Sequence, residues 1–258
     1  MYPESFFQHQ MEDTAGSAKA LISEILRHVS PKSVVDVGCG VGVWVDEFKR
    51  RGIAEVMGVD QPQPMAEGLR LIHPPEFVEQ DLEQPLQIHR TFDLVVCLET
   101  IEHLSESRGP DLIRELTQLG PVILFSGAIP LQCGYYHINE QWPDYWQREF
   151  AKWNYFAVDC IRPIVWNNPA IAWWYRQNTV FYVHESCSDK LFHSGAGQSS
   201  QPIMRLIHPE MWAQAVGFVN ADLVPDYALE RNPRLRELHE AARDGQPTVQ
   251  KYLADLLV

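Results

Sequence analysis

Residues 33–44 of the chain read S-V-V-D-V-G-C-G-V-G-V-W, and this stretch decides the fold. It begins with a β-branched apolar run typical of a buried strand and then breaks into the turn Gly38-Cys39-Gly40-Val41-Gly42. A helical pattern of apolar residues follows the turn and ends in basic residues and Gly52. The sequence therefore predicts a strand, a tight glycine turn and a helix. In an open α/β sheet, such a turn lies where ligands bind.

The spacing of the glycines separates two classes of ligand. A dinucleotide fingerprint, G-x-G-x-x-G, would need a glycine where the chain has Val43, which argues against a nicotinamide dehydrogenase. Asp36 stands two residues before Gly38, and an acid there suits a ligand with an amine better than a pyrophosphate. The form D-x-G-x-G-x-G resembles the nucleoside-binding loop of class I methyltransferases, which bind S-adenosylmethionine. A tight strand-to-helix connection without a ligand is the alternative interpretation.

Three further apolar runs follow in the order that this resemblance implies. Residues 56–59 are followed by Asp60, at the distance from the glycine turn where such folds bind a ribose hydroxyl pair. Residues 77–82 include Asp81, which in the resembling family lies near the adenine amino group. Residues 92–98 read F-D-L-V-V-C-L, the form that the family shows for its fourth strand.

The resemblance covers about residues 21–184 and implies a fold and a cofactor. The expected fold is α/β, a Rossmann-like doubly wound sheet of seven mostly parallel strands with an antiparallel last strand. We expect an N-terminal lid and helix at 1–30, the methyltransferase-like domain at 31–185, and a linker with a helical C-terminal extension at 186–258. A frayed terminus is the alternative for the first residues. The resemblance assigns S-adenosylmethionine binding to Asp36, Gly38, Cys39, Gly40, Asp60, Gln61, Asp81, Leu82 and Leu98.

Apolar periodicity and breaker residues predict the remaining elements. Helices are expected at 18–29, 65–72, the later part of 105–119, and 142–153. Strands are expected at 122–125, 155–161 and 179–184, the last two as a terminal antiparallel pair.

The segment Glu99-Thr100-Ile101-Glu102-His103 follows the fourth strand, a position that faces the methyl donor in the resembling fold. If this segment is helical, Glu99 and His103 share a face. His103 is a candidate general base because histidine titrates near neutral pH, and a buried structural histidine is the alternative. The string E-x-x-E-H also resembles the metal set of small-RNA 2′-O-methyltransferases, with His137 as a further ligand. Metal-free methyltransferases of small molecules contain the same string, and we predict no bound metal.

The loop after the fifth predicted strand mixes polar and aromatic residues at positions 135–143. We expect His137 and Asn139 in this loop to orient the substrate. The alternative is a helix start with Asn139 as its cap and Pro143 in its first turn.

A second aromatic segment, residues 172–178, reads A-W-W-Y-R-Q-N. Aromatic faces attract a sulfonium cation, and Tyr175 is expected to line the pocket and hydrogen-bond the donor. The alternative is that these rings only pack onto the sheet. The candidate catalytic residues are therefore His103, His137, Asn139 and Tyr175.

Composition excludes some partners. The 258 residues carry a formal net charge of -13, which would repel a nucleic acid. The five cysteines form no C-x-x-C pair, which favours a reducing compartment, so we expect a cytoplasmic protein. No apolar run approaches the length of a membrane span, so we expect no membrane partner. The resemblance implies a small-molecule substrate. A homodimer is possible.

Three functions remain open at this point. The first is a methyltransferase for a small acceptor of secondary-metabolite or sugar type, in which catalysis is mostly positioning. The second is cyclisation of S-adenosylmethionine itself with release of methylthioadenosine, because the chain has a faint similarity to azetidine-2-carboxylate synthases. The third is a non-catalytic adenosyl-binding protein.

Overall fold

The structure is a computed structural model that describes residues 4–61, 71–134, 136–187, 203–212 and 236, with the backbone alone for residues 4–13. Its centre is one seven-stranded sheet with the strand order β3-β2-β1-β4-β5-β7-β6. The strands are β1 (Ser33–Val37), β2 (Glu55–Asp60), β3 (Phe77–Glu79), β4 (Leu94–Leu98), β5 (Val122–Ser126), β6 (Tyr155–Val158) and β7 (Val180–His184). All seven lie where the sequence predicted strands.

Strand directions follow the prediction as well. The pairs β1–β2, β1–β4, β2–β3 and β4–β5 are parallel, whereas β7 runs antiparallel to both β5 and β6. Strand β1 lies between β2 and β4, with Val35 opposite Met57 on one side and Val95 on the other. The strand order reverses at β1 and β4, so their carboxyl ends flank the crevice where open α/β sheets bind ligands.

Helices cover both faces of the sheet. They are α1 (Glu4–His28), α2 (Val43–Arg50), α3 (Arg108–Leu119), α4 (Pro143–Ala151), α5 (Arg162–Val165) and α6 (Trp173–Asn178), with a 3-10 turn at Ile101–His103. Alternate residues of β4 point to opposite faces: Val96 packs with α1 and α2, whereas Val95 packs with α3 and α4. This alternation explains why the central strands are apolar throughout, since both of their faces are buried.

Several bounds differ from the sequence expectation. The helix predicted at 18–29 is the end of a longer helix, α1, whose first turns include residues that we considered a lid or a frayed end. The helix predicted at 142–153 is confirmed but shorter, and the excursion before β7 contains two short helices, α5 and α6. Most of the helix predicted at 65–72 lies outside the described residues.

Residues 203–212 dock on the sheet domain. The Ile203 amide donates to Gln147, Arg205 pairs with Asp144, and the His208 amide donates to Gln177 at 2.7 Å. The rest of the predicted linker and helical extension lies outside the described residues except for 186, 187 and 236, so the boundary at 185 stays a prediction. In the described part of the chain, no helix has both the length and the apolar character needed to cross a membrane.

Candidate functional site

The glycine turn connects β1 to α2 at the crevice between β1 and β4. Gly38 has φ 88°, and a Cβ at this position would lie 2.2 Å from Oγ1 of Thr100, the second residue after β4. Gly40 has φ 55°, and a Cβ there would meet no atom of the described residues within 4 Å. Gly38 is therefore required by packing, whereas Gly40 borders open space into which a ligand can approach the backbone.

Asp60, at the end of β2, holds the turn in place. One carboxylate oxygen accepts a hydrogen bond from the Gly40 amide at 2.7 Å, and the other accepts one from the Gln61 amide at 2.7 Å. The amides of Gly38 and Cys39 both donate to the Val59 carbonyl. The predicted binding residues from β1 and β2 thus lie together around one turn.

Asp36 is buried beside this turn, and its Oδ2 atom has no hydrogen-bond partner among the described residues. Burial, followed by the negative charge of Asp60, raises the pKa of Asp36 to about 8. A buried carboxyl oxygen without a partner is costly unless a ligand supplies a donor. Together with the space at Gly40, this fits a ligand that carries a cationic amine.

The other predicted binding residues have different surroundings. Leu98 is buried at the end of β4. Asp81 is exposed after β3, and its carboxylate accepts a hydrogen bond from the Glu83 amide. Leu82 is buried, and its carbonyl accepts from Arg108. Their roles in binding stay predictions.

Glu99 lies directly after β4 with φ 50°, so the expected helical pairing of Glu99 and His103 is wrong. The left-handed backbone at Glu99 separates β4 from the 3-10 turn. The Glu99 carboxylate accepts hydrogen bonds from Gln132 at 2.6 Å and from Asn178 at 3.0 Å. Burial raises the pKa of Glu99, and the hydrogen bonds from Asn178, Ser126 and Gln132 act in the opposite direction.

The sequence interpretation missed the amide partners of Glu99. Asn178 also donates to Gln132 at 2.8 Å, and Gln177 donates to Asn178 at 3.0 Å. These amides come from the loop after β5 and from the end of α6, far from Glu99 in the sequence. The two polar residues Gln177 and Asn178, just before the buried strand β7, were the sequence signal that could have indicated these partners.

Glu102 is fully buried in the 3-10 turn, and neither of its carboxyl oxygens has a hydrogen bond of normal geometry within the described part of the chain. Burial, and after it the charge of Glu99, raises the pKa of Glu102 well above its ordinary value. Its backbone carbonyl accepts hydrogen bonds from the amides of Ile138 at 2.9 Å and Asn139 at 3.1 Å. These two bonds dock the loop after β5 onto the turn.

The docked loop brings His137 next to His103, with ring centroids 5.0 Å apart. Nδ1 of His137 lies 3.0 Å from a Glu140 oxygen, and the Glu140 carboxylate also accepts the amides of Leu131 and Cys133. Glu102, His103 and His137 each offer one ligand-type atom, and these atoms lie within 4.8 Å of one another. The two predicted catalytic histidines are therefore together.

Asn139 is buried in the same loop, and its side-chain oxygen accepts a hydrogen bond from Gln141 at 3.1 Å. Helix α4 begins at Pro143 with Trp142 at the cap position, so the alternative in which Asn139 caps this helix is wrong. Pro143 does stand in the first turn, as its fixed φ favours.

Tyr175 on α6 is buried, and its ring packs edge-on against Trp44 of α2 with centroids 5.1 Å apart. Burial, and then the charge of Glu99, raises the pKa of Tyr175 to about 12, so the hydroxyl stays protonated. Tyr175 thus contacts Trp44, which follows the glycine turn, and lies near enough to Glu99 to be affected by its charge.

Comparisons with known proteins agree with this geometry. The family model described as a methyltransferase domain matches residues 7–179. A ubiquinone biosynthesis O-methyltransferase of Yersinia pestis is 33% identical over 98 residues, which are 34% of this chain and 38% of the relative. The chain thus spans under half the length of the curated relatives that it matches.

Two solved structures are similar to this chain to different extents. A putative O-methyltransferase from Nostoc punctiforme aligns with a TM-score of 0.51 and 13% identity over 69% of this chain and 58% of that one. The magnesium protoporphyrin IX methyltransferase of Synechocystis, solved with bound SAH, aligns with a TM-score of 0.46 and 17% identity over 68% of this chain and 86% of that one.

Proposed function

Because the chain belongs to the methyltransferase-domain family, we propose that it is an S-adenosylmethionine-dependent methyltransferase acting on a small molecule. The observation that carries this proposal is the glycine turn at the β1/β4 crevice. Gly40 borders open space there, and Asp36 presents a buried carboxyl oxygen that lacks a donor. S-adenosylmethionine supplies an amine for that oxygen and a methyl group activated by its sulfonium.

The residues around the turn have separate roles in binding. Asp36 would accept a hydrogen bond from the amino group of the donor, and Asp60 would accept hydrogen bonds from the ribose hydroxyls. Asp81 would contact the adenine, as the sequence predicts. Cys39, Gln61, Leu82 and Leu98 would line the same crevice.

The groups after β4 and β5 would hold the acceptor. Glu140 fixes His137 through Nδ1, which leaves Nε2 as the nitrogen that can take a proton from an acceptor hydroxyl. Asn139 would position the acceptor, and His103 lies beside His137. Tyr175 stays protonated and would donate a hydrogen bond in the pocket. Holding acceptor and methyl group in line supplies most of the rate enhancement.

Polar groups and aromatic rings together favour a hydroxyl-bearing acceptor of modest size. We extend the proposal to an acceptor of secondary-metabolite or sugar type. A soluble, cytoplasmic enzyme is part of the same proposal, and a homodimer stays a prediction.

Product analysis tests the function. The protein is incubated with S-adenosylmethionine labelled in its methyl group, with and without a panel of phenolic and sugar acceptors, and the products are identified by mass spectrometry. We expect labelled acceptor and S-adenosylhomocysteine in equal amounts. Methylthioadenosine formed without any acceptor would instead support cyclisation of the donor, and tight binding without any product would support a binding protein.

A further inference from the structure

We propose that Glu102, His103 and His137 form a binding site for a divalent metal ion at the carboxyl end of β4. Their ligand-type atoms lie within 4.8 Å of one another. Metal–ligand distances of about 2.0–2.2 Å place two ligand atoms roughly 3–4 Å apart, so small side-chain rotations close the site. The set contains two imidazoles and one carboxylate, a combination that binds divalent transition metals. The proposal concerns metal binding and stands independently of the reaction.

Glu102 is the first argument for the site. Its side chain has no exposed surface, and neither carboxyl oxygen has a hydrogen bond of normal geometry to a described residue. A buried carboxylate without donors is costly, and a protonated one would still hold its proton without an acceptor. A cation among the three residues gives this carboxyl group a partner and explains why it is buried there.

His137 has the orientation that metal-binding histidines show. Its Nδ1 atom lies 3.0 Å from a Glu140 oxygen, so Glu140 fixes the tautomer and leaves Nε2 as the ligand atom. Glu140 is itself fixed by hydrogen bonds from the amides of Leu131 and Cys133, at 2.9 and 2.8 Å. A carboxylate that holds a histidine in this way commonly supports the metal ligand.

The backbone joins the two halves of the site. The Glu102 carbonyl accepts the amides of Ile138 and Asn139, the two residues that follow His137. The loop that carries one ligand is thus bound directly to the turn that carries the other two. Such a site needs little rearrangement to bind an ion.

Glu99 does not belong to this set, although it is the first acid of the E-x-x-E-H string. Gln132 donates to one oxygen of its carboxylate and Asn178 donates to the other. The proposed site therefore has three protein ligands, which leaves positions open for water or an acceptor oxygen. That last role rests on the proposed function, whereas the binding of the ion does not.

Metal titration of the full-length protein tests the site. The protein is treated with a chelator, reduced and titrated by calorimetry with Zn²⁺, Mn²⁺ and Mg²⁺ separately. We expect one equivalent of Zn²⁺ or Mn²⁺ to bind, and Mg²⁺ to bind at least tenfold more weakly. Co²⁺ is added as a spectroscopic probe, because ligation by one of the five cysteines would produce a thiolate charge-transfer band that this site must lack.

Three variants locate the ion. E102Q and H137N should each weaken binding at least 100-fold, whereas H89N, which alters an exposed histidine, should bind as the wild type does. Circular dichroism and S-adenosylhomocysteine binding verify that each variant is folded. The proposal is overturned if the wild type binds no stoichiometric ion, or if folded E102Q and H137N bind it with unchanged affinity. Failure of the function alone would leave metal binding intact and the methylation assay negative.

Discussion

The glycine turn and the cluster around Glu99, Glu102 and His137 lie at the same edge of the sheet, but they are built in different ways. The turn uses residues 36–61, which are close in sequence and held by backbone amides on one carboxylate, Asp60. The cluster combines four segments: the end of β4, its 3-10 turn, the loop after β5 and the end of α6. A local motif thus forms the proposed cofactor site, whereas the second region depends on how distant segments pack.

The largest effect is expected from Gly38→Ala. The new Cβ would lie 2.2 Å from Thr100 at a left-handed φ, so we expect a loss of roughly 3 kcal/mol of unfolding free energy together with cofactor binding. Chemical denaturation and calorimetry with S-adenosylhomocysteine measure the two effects.

Gly40→Ala and Gly52→Ala are matched comparisons for that change. Both positions have positive φ and open space, so each variant should lose only about 1–2 kcal/mol of stability. Only Gly40→Ala should also weaken cofactor binding, because its methyl group enters the proposed crevice. Equal affinities in these two variants would contradict the location of the cofactor.

The second largest effect is expected from Asp36→Asn. Loss of the carboxylate that we propose to face the cofactor's amine should reduce cofactor affinity about 100-fold, which is about 3 kcal/mol. Glu47→Gln, in an ion pair on α2 away from the crevice, is the control and should bind normally. Calorimetry measures both.

Ionisation of Asp36 should make both stability and ligand binding depend on pH in a defined direction. Its pKa is about 8 in the folded protein and near 4 when unfolded, so folding favours the neutral form. The ligand-free protein therefore gains stability from this group below pH ~4 and loses it as the pH rises toward 8. Binding of an amine near pH 7 should release a proton, which calorimetry in buffers of different ionisation enthalpy detects. Asp36→Asn should abolish both effects.

A smaller effect is expected from Asn178→Leu, which removes donors from Glu99 and Gln132. Leaving the half-buried Glu99 carboxylate short of a donor should cost about 1–3 kcal/mol of stability and lower the methylation rate. Cofactor affinity should change little, because the glycine turn is untouched. Asn167→Leu at an exposed position is the control. An equal loss of cofactor affinity and rate would show that the two regions are not separable.

The smallest effect is expected from Tyr175→Phe. The ring and its packing on Trp44 remain, and only the hydroxyl is lost. We expect a cofactor affinity about fivefold lower, near 1 kcal/mol, and a loss of about 1 kcal/mol of stability because the buried hydroxyl has hydrogen-bond partners in the protein. Tyr175→Leu should have a larger effect because it also removes the aromatic contact. If both variants bind the cofactor as the wild type does, Tyr175 only packs the segment between β6 and β7 onto the sheet.

The difference between the two regions also explains what the sequence could predict. The strands and the glycine turn follow from apolar runs and from glycines within a few residues of one another, so local patterns predict them. The left-handed conformation of Glu99 does not, since it depends on contacts with Ser126, Gln132 and Asn178. For the same reason Asn139 was a plausible helix cap in the sequence, although the loop instead packs it against the turn after β4. The pairing of His103 with His137 was anticipated only through a resemblance.

The docking of residues 203–212 has a practical consequence for anyone who shortens this chain. Arg162, which has no exposed surface, donates to the Met204 carbonyl, and Arg176 pairs with Glu210. A fragment that stopped at the end of β7 would uncover these two guanidinium groups and the side-chain oxygen of Gln177, whose side-chain nitrogen donates to Asn178. Expression fragments intended to retain the acceptor side should therefore extend through Trp212.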